Sequence, residues 1–332
     1  MRRKFIKTVL AMGAAAGALP GLGMRSLRAQ PTATVSGKPI EWVVGFAAGG
    51  GSDAVARIVA EAWSPQLGRP TVVLNKPGAG TNVAAEYVAR SRDYGNLVFT
   101  ADFATLAANP HLFRKLGYDA EKDFAPIGML ARFPLFLVVN NDLPIRSFQE
   151  FTAWAKSNPD SLAYGTPGLG TPHHLASELL AQHLAVRMTH VPYRGAGPAM
   201  LDVIGGQIPF MIVDSAAGVS HIAAGKVRVI GVASATRLAS HPDVPTLAEQ
   251  GAKGLEAHAW QGLVAPVNTS EASIQTWSAA LQTVLNSPAV QARFAALALE
   301  PMPGTPQQMR DYWQSEKQRW GHVIQTAGIS LD

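Results

Sequence analysis

An apolar run from Ile40 to Phe46 is followed by Gly49-Gly50-Gly51. Val55, Ile58, Val59, Ala62 and Trp63 then recur at helical spacing. The run fits a buried strand and the spacing an amphipathic helix. A strand, a glycine turn and a helix in that order bring unpaired backbone amides to the end of the strand, which is how proteins build anion cradles. Variants of the unit recur. A strand at Thr71–Asn75 leads through "KPGAG" into a helix from about Asn82 to Arg90, and a third strand spans Asn96–Asp102. Alternation of this kind implies a parallel sheet with crossover helices.

A second series begins near Pro134. "LFLVVN" is expected to be a strand, and Ser147-Phe148-Gln149-Glu150 a capping box opening a helix to about Ser157. "LAYGT", a helix from about His173, "MTHVPY", a helix at "PAMLDVIGG", "IPFMIVD", a short helix and "VRVIGVA" complete a further α/β unit. The last third holds "AWQGLVAP" and three helical patterns, about Ser273–Leu285, Ala289–Leu297 and Pro306–Thr326. These helices have no sheet of their own and are expected to return to the first unit. The chain would then cross twice, near Arg132 and near Ser234. Residues 30–132 and 235–332 would form one domain and 133–234 the other, with ligand in the crevice at the strand ends.

Composition excludes some partners. Six of the 28 basic residues lie in the first 29 positions, which hold no acid, leaving 22 against 23 acids in the rest. The basic excess is therefore a targeting signal and not a nucleic-acid surface. Residues 1–29 have a charged start, a short apolar middle and Ala29 at a cleavage position, and Arg2-Arg3-Lys4-Phe5-Ile6-Lys7 fits a twin-arginine export motif. There is no cysteine for a disulfide or a lipid anchor, and no later apolar run of spanning length. A soluble, monomeric periplasmic protein is expected.

The first glycine loop fits three other chemistries incompletely. As a phosphate loop it has Gly51 where lysine should reach the phosphates. As a dinucleotide fingerprint it has Asn75 and Lys76 where the ribose-binding acid belongs. As a nucleophile elbow, Gly50-Gly51-Ser52-Asp53-Ala54 lacks its last glycine, and Ser52 fits better as a helix N-cap. Asp53, in the first turn, complements the helix dipole and opposes a highly charged phosphate. His173 and His174 are adjacent and make a poor metal pair, and His190, in a strand, is expected in packing or at an edge. Neither a metal nor a cofactor is expected. The second unit repeats the glycine device at "YGTPGLGTPHHL" and at "VPYRGAGPAM", and Asp214 ends a strand at "VDSAAG".

The segments "GFAAGGGSDAVAR", "LNKPGAGTNVAAEYVA", "YGTPGLGTPHHLASELL", "VPYRGAGPAMLDVIGGQI" and "HIAAGKVRVIGVAS" resemble, in order, those of the Bug-type periplasmic receptors of tripartite tricarboxylate transporters. The resemblance implies an α/β, two-lobed periplasmic-binding-protein fold of the second type, two domains joined by a double crossover hinge. It implies capture of a small organic carboxylate for delivery to membrane transporter subunits, without catalysis. It places ligand contacts at Phe46, Ala48, Gly49, Ser52, Asp53, Thr81 and Asp102, then at Thr166, Gly168, Thr171, Tyr193, Arg194 and Asp214. Trp260, with Phe103, would line the distal end. The chain departs from the family at Gly45 and Ala47, where prolines flank the aromatic, at Gly51-Ser52 in place of Pro-Thr, and at Thr81 in place of a third glycine. An exported serine esterase using Ser52, or a sensory receptor presenting ligand to a membrane kinase, are the competing functions.

Overall fold

The structure, a computed structural model, describes residues 37–193 and 195–331. The export signal and Arg194 lie outside the described residues. In chain order the elements are β1 (Ile40–Val44), α1 (Gly51–Leu67), β2 (Thr71–Asn75), α2 (Asn82–Ala89), β3 (Leu97–Asp102), α3 (Asn109–Leu112), α4 (Ala120–Asp123) and β4 (Phe124–Val139). There follow α5 (Phe148–Ser157), β5 (Ala163–Thr166), α6 (Pro172–Leu184), β6 (Thr189–Pro192), α7 (Ala196–Ile204), β7 (Phe210–Asp214), α8 (Ser215–Ala223) and β8 (Arg228–Val232). The chain closes with β9 (His258–Pro266), α9 (Glu271–Leu285), α10 (Pro288–Ala296), β10 (Glu300–Pro301) and α11 (Pro306–Ala327).

The strands run β2-β1-β3-β9-β4-β7-β5-β6, with β8 and β10 also on β4. The strands β1, β2 and β3 are parallel, and β9 enters antiparallel between β3 and β4. On the other side β5 is parallel to β6 and β7, while β7 and β8 run antiparallel to β4. One long strand therefore belongs to two half-sheets. It changes partner between Pro134, opposite His258 of β9, and Leu135, opposite Asp214 of β7. The return path is stitched beside it: Ala233 N donates to Leu135 O at 2.8 Å and Ala257 N to Ala233 O at 2.9 Å.

Burial explains the layers. β1 is almost wholly buried, with Trp42 Nε1 satisfied by Thr100 Oγ1 at 2.7 Å. Its two faces feed two apolar clusters. One holds Trp42, Val55, Val59, Trp63, Trp277 and Phe294, so α9 and α10 lie against α1. Trp63 and Trp277 meet edge to face at 6.2 Å, an arrangement aromatic pairs favour. The other cluster holds Phe99, Phe103, Trp313 and Trp320, which brings α11 onto the π-helical turn Ala104–Ala108, where Trp313 Nε1 donates to Leu106 O at 2.7 Å.

Two local expectations are corrected. β4 starts at Phe124, ten residues before the expected strand series at Pro134, and the helical stretch Ala104–Leu112 was not anticipated. At α5, Ser147 caps the Glu150 amide at 3.2 Å, but the Glu150 carboxylate accepts from Arg146 N and does not close a box on Ser147.

Candidate ligand-binding site

On the first half-sheet the loop after β1 is held from beneath. Asn75 Nδ2 donates to Phe46 O at 2.9 Å and to Asp53 Oδ1 at 3.0 Å. Asp53 Oδ2 accepts from Gly49 N and from Arg57 Nε, both at 2.9 Å. Gly49 has φ 85°, a left-handed conformation that glycine takes without steric cost. Burial pushes the Asp53 carboxyl up, but the Arg57, Gly49 and Asn75 hydrogen bonds outweigh it and bring it below the usual carboxylate range. The acid expected to face an anion is thus 4% exposed and spent on the loop, with Ala48, Gly49 and Gly50 exposed above it.

Ser52 is not the N-cap. Gly50 is, with no side-chain bond, because α1 begins at Gly51. The amides of Gly51 and Ser52 therefore stand in the first turn, where no intrahelical acceptor exists. Ser52 Oγ instead accepts from Gln261 Nε2 of β9, and Gln261 Oε1 is buried without a partner among the described residues. A hydroxyl whose lone pair takes an N–H keeps its own proton for another acceptor.

Thr81 and Asp102 are drawn together. Thr81 Oγ1 lies 2.7 Å from Thr105 Oγ1, and Asp102 Oδ1 accepts from Thr105 Oγ1 at 2.7 Å and from Thr105 N at 3.0 Å. Burial raises the Asp102 pKa against these bonds. Thr81 holds φ 76°, in the left-handed region that favours glycine.

On the second half-sheet, Thr166 is fully buried, and its Oγ1 pairs with His190 Nε2 and accepts from Gly168 N at 3.2 Å. Thr171 caps α6, accepting from His174 N at 3.4 Å and donating to Gly168 O at 2.8 Å. Asp214 caps α8 through Ala217 N at 3.0 Å, and its other oxygen meets His173 Nε2 at 3.0 Å. Burial raises the Asp214 pKa, and the His173 contact and amide bonds more than offset it, for a net lowering. Tyr193 joins the loop through its amide, 2.9 Å from Thr166 O, but its hydroxyl is committed to Asp202 Oδ2 at 2.6 Å. His190 is a packing residue, stacked on His174 at 4.1 Å and on Tyr164 at 5.0 Å.

The two sides meet. A Cβ added to Gly51 would lie 3.1 Å from Phe133 Cε1 and 3.3 Å from Ala216 Cβ at the start of α8. A Cβ on Gly170 would lie 2.7 Å from Leu112. The positive ends of α1 and α8 therefore face one seam, an arrangement that favours an anion between them. Ser215, beside Ala216, is buried, and its Oγ has no partner among the described residues. The structure leaves Trp260 out of this group: it is 1% exposed, packed on Phe103 and Tyr312, with Nε1 on Glu316 Oε2 at 2.9 Å. Phe103 is fully buried with it. Gln261, Ser215, Phe133 and Ala216 were missed; their relation to the loops is set by tertiary packing and has no local signature. Among the described residues no group of three His, Cys, Asp or Glu side chains could hold a metal ion, and no helix is long and apolar enough to cross a membrane.

Comparison with known proteins gives the fold and the site a context. Rpa4515 of R. palustris, solved with adipate, superposes with a TM-score of 0.83 at 32% identity, covering 88% of this chain and 98% of that one. MatC from Rhodopseudomonas palustris, solved with malate, gives 0.78 at 32% identity over 86% and 98%. BugT of Bordetella pertussis is 33% identical over 299 residues, 90% of this chain and 92% of BugT. The α/β architecture is thus the two-lobed fold of periplasmic binding proteins. The sequence pattern of the tripartite tricarboxylate transporter family receptors matches residues 55–329, and the chain belongs to that family.

Proposed function

We propose that the protein is a soluble, monomeric periplasmic receptor that captures a small organic carboxylate in the seam and delivers it to the membrane subunits of a tripartite transporter. The observation that carries this reading is the meeting of the α1 and α8 N-termini at Gly51 and Ala216, with the Ser52 hydroxyl and the Thr171-capped start of α6 nearby. Such a set of donors suits one carboxylate and supplies no cation pair for a polyphosphate. Ligand contacts are assigned to Phe46, Ala48, Gly49, Ser52, Gly168 and Thr171. Asp53, Thr81, Asp102, Thr166 and Asp214 act behind them, holding the loops. Tyr193 contributes backbone, and Arg194 is assigned by resemblance alone. Adipate and malate in two relatives support the carboxylate class.

The domain division follows the same reading: residues 30–132 with 235–332, and 133–234, hinged where β4 changes partner. Closure of the two lobes on the ligand would present a distinct surface to the transporter. Catalysis is disfavoured because Ser52 is partnered by the Gln261 amide and not by an imidazole base. The test is mass spectrometry of small molecules released by denaturing protein purified under native conditions. Recovery of a stoichiometric organic carboxylate is the expected result. Recovery of a nucleotide or a neutral sugar in its place would refute the reading.

A further inference from the structure

The loop between β5 and α6 carries Gly168 and Gly170 at φ 151° and 72°, so its backbone has little conformational restraint of its own. Leu169, between them, is 51% exposed, and packing does not fix the tip. Side-chain hydrogen bonds do. Thr171 Oγ1 donates to Gly168 O, and Gly168 N donates to Thr166 Oγ1. A further bond comes from beneath: the Gly170 amide, which is buried, donates to His174 Nδ1 at 3.1 Å. A backbone amide can only donate, so Nδ1 carries no proton. The proton of the neutral ring is then on Nε2, 3.9 Å from Glu178 Oε1.

The surroundings keep His174 in that form. The residue is buried, and burial, with His190 adding to it, pushes its pKa down to about 3. A charged ring would carry a proton on Nδ1 and lose the Gly170 amide. The bond also decides which donors the loop keeps for a guest. The Gly170 amide is spent inward, whereas the amides of Leu169 and Thr171, on either side of it, have no acceptor among the described residues. Leu169 is exposed and Thr171 half-buried, and the loop meets Leu112 across the seam at Gly170.

We propose that His174 is a positioning residue for carboxylate capture: as a neutral acceptor it turns the Gly170 amide inward and leaves the Leu169 and Thr171 amides to the anion. This role rests on the carboxylate reading of the seam. His190, stacked on the ring at 4.1 Å and paired with Thr166 Oγ1, backs the imidazole from β6. If the ring only filled space, an apolar side chain of similar size would serve as well. If it positions the loop, an acceptor at the place of Nδ1 is required.

The test compares His174→Asn, whose side-chain oxygen reaches the place of Nδ1, with His174→Leu, which fills the site without an acceptor. Amide exchange followed by NMR reads the bond with no ligand present. Gly170 should be protected in the wild type and in His174→Asn, and should exchange about tenfold faster or more in His174→Leu. Calorimetry with adipate, malate, citrate, acetate and benzoate reads the consequence. His174→Leu should weaken the binding of whichever acids the wild type takes by about tenfold, the worth of one ordinary hydrogen bond, and His174→Asn should restore it. The wild type gives a check that needs no variant to fold: imidazole nitrogen shifts should place the His174 proton on Nε2. A proton on Nδ1, a Gly170 amide equally protected in His174→Leu, or full binding by His174→Leu would overturn the proposal. A wild type that binds none of the acids, while Gly170 exchange still follows the variants, would refute the carboxylate reading and leave only the loop bond.

Discussion

Replacing Asp53 by alanine probes the first loop most sharply. Three donors converge on its carboxylate. The Arg57 side chain is 51% exposed, so that ion pair is screened and worth at most about 1 kcal/mol. The Gly49 amide and the Asn75 side chain donate to a charged acceptor, each bond worth about 1.5 kcal/mol at the low end of the range for such bonds. Asp53→Ala should therefore lower stability by about 3 kcal/mol, or a melting temperature by about 6 °C for a chain of this size. Asp53→Asn keeps one acceptor and should cost about half as much. The pH dependence has a definite sign. The folded carboxyl titrates below its ordinary value, so its stabilisation is present above the usual aspartate pKa and is lost as pH falls through the folded value. The gap between wild type and Asp53→Ala in urea unfolding should therefore be full at neutral pH and shrink in strong acid. A gap under about 0.5 kcal/mol, or one indifferent to pH, would refute the account of Asp53 as the brace of the loop.

Other outcomes follow from single contacts. Gln261→Leu should weaken carboxylate binding several-fold in calorimetry and add nothing in a Ser52→Ala background; tighter binding would mean that Gln261 draws the Ser52 proton away from the ligand. His174 and His190 are stacked with pKa values pushed down by burial to about 3 and about 4, so the folded state resists protonating them. Stability should fall by up to about 1.4 kcal/mol per pH unit for each as pH drops below about 6.5 toward those values. Urea midpoints for His190→Gln should show a shallower slope; an unchanged slope would assign the pH dependence elsewhere. Glu316→Gln should lower the melting temperature and quench or shift tryptophan emission, because one carboxylate oxygen serves both Trp260 Nε1 and Trp320 Nε1. Unchanged emission would separate Trp260 from that contact.

The strand–glycine–helix units could be read from the chain because each is local. β2 matches its expected span, and β1, β3, β5 and β7 differ only at their ends. The end of β4 was read as the strand "LFLVVN", but its first ten residues were hidden by Pro126, Gly128 and Pro134, residues that argue against a strand interior. It tolerates them because its register to β9 shifts between Pro126 and Gly128 and again between Met129 and Ala131. Asp53 was legible as a first-turn acid, with Arg57 one turn on, but nothing near it announces Asn75. Ser52 looked like a cap because its type favours caps; the loop spends Gly50 there and Gln261, 209 residues away, takes the hydroxyl. Trp260 looked free to line a pocket because Glu316, which fixes it, lies 56 residues further along the chain.

The central claim is that the seam holds a carboxylate. Isothermal titration with mono-, di- and tricarboxylates, each beside its methyl ester, tests it most directly. The account predicts saturable one-to-one binding of at least one free acid. It also predicts loss of that binding on esterification, since helix-end amides then lose their anion, and weakening by Ser52→Ala. Equal affinity for acid and ester, or binding indifferent to Ser52, would contradict it.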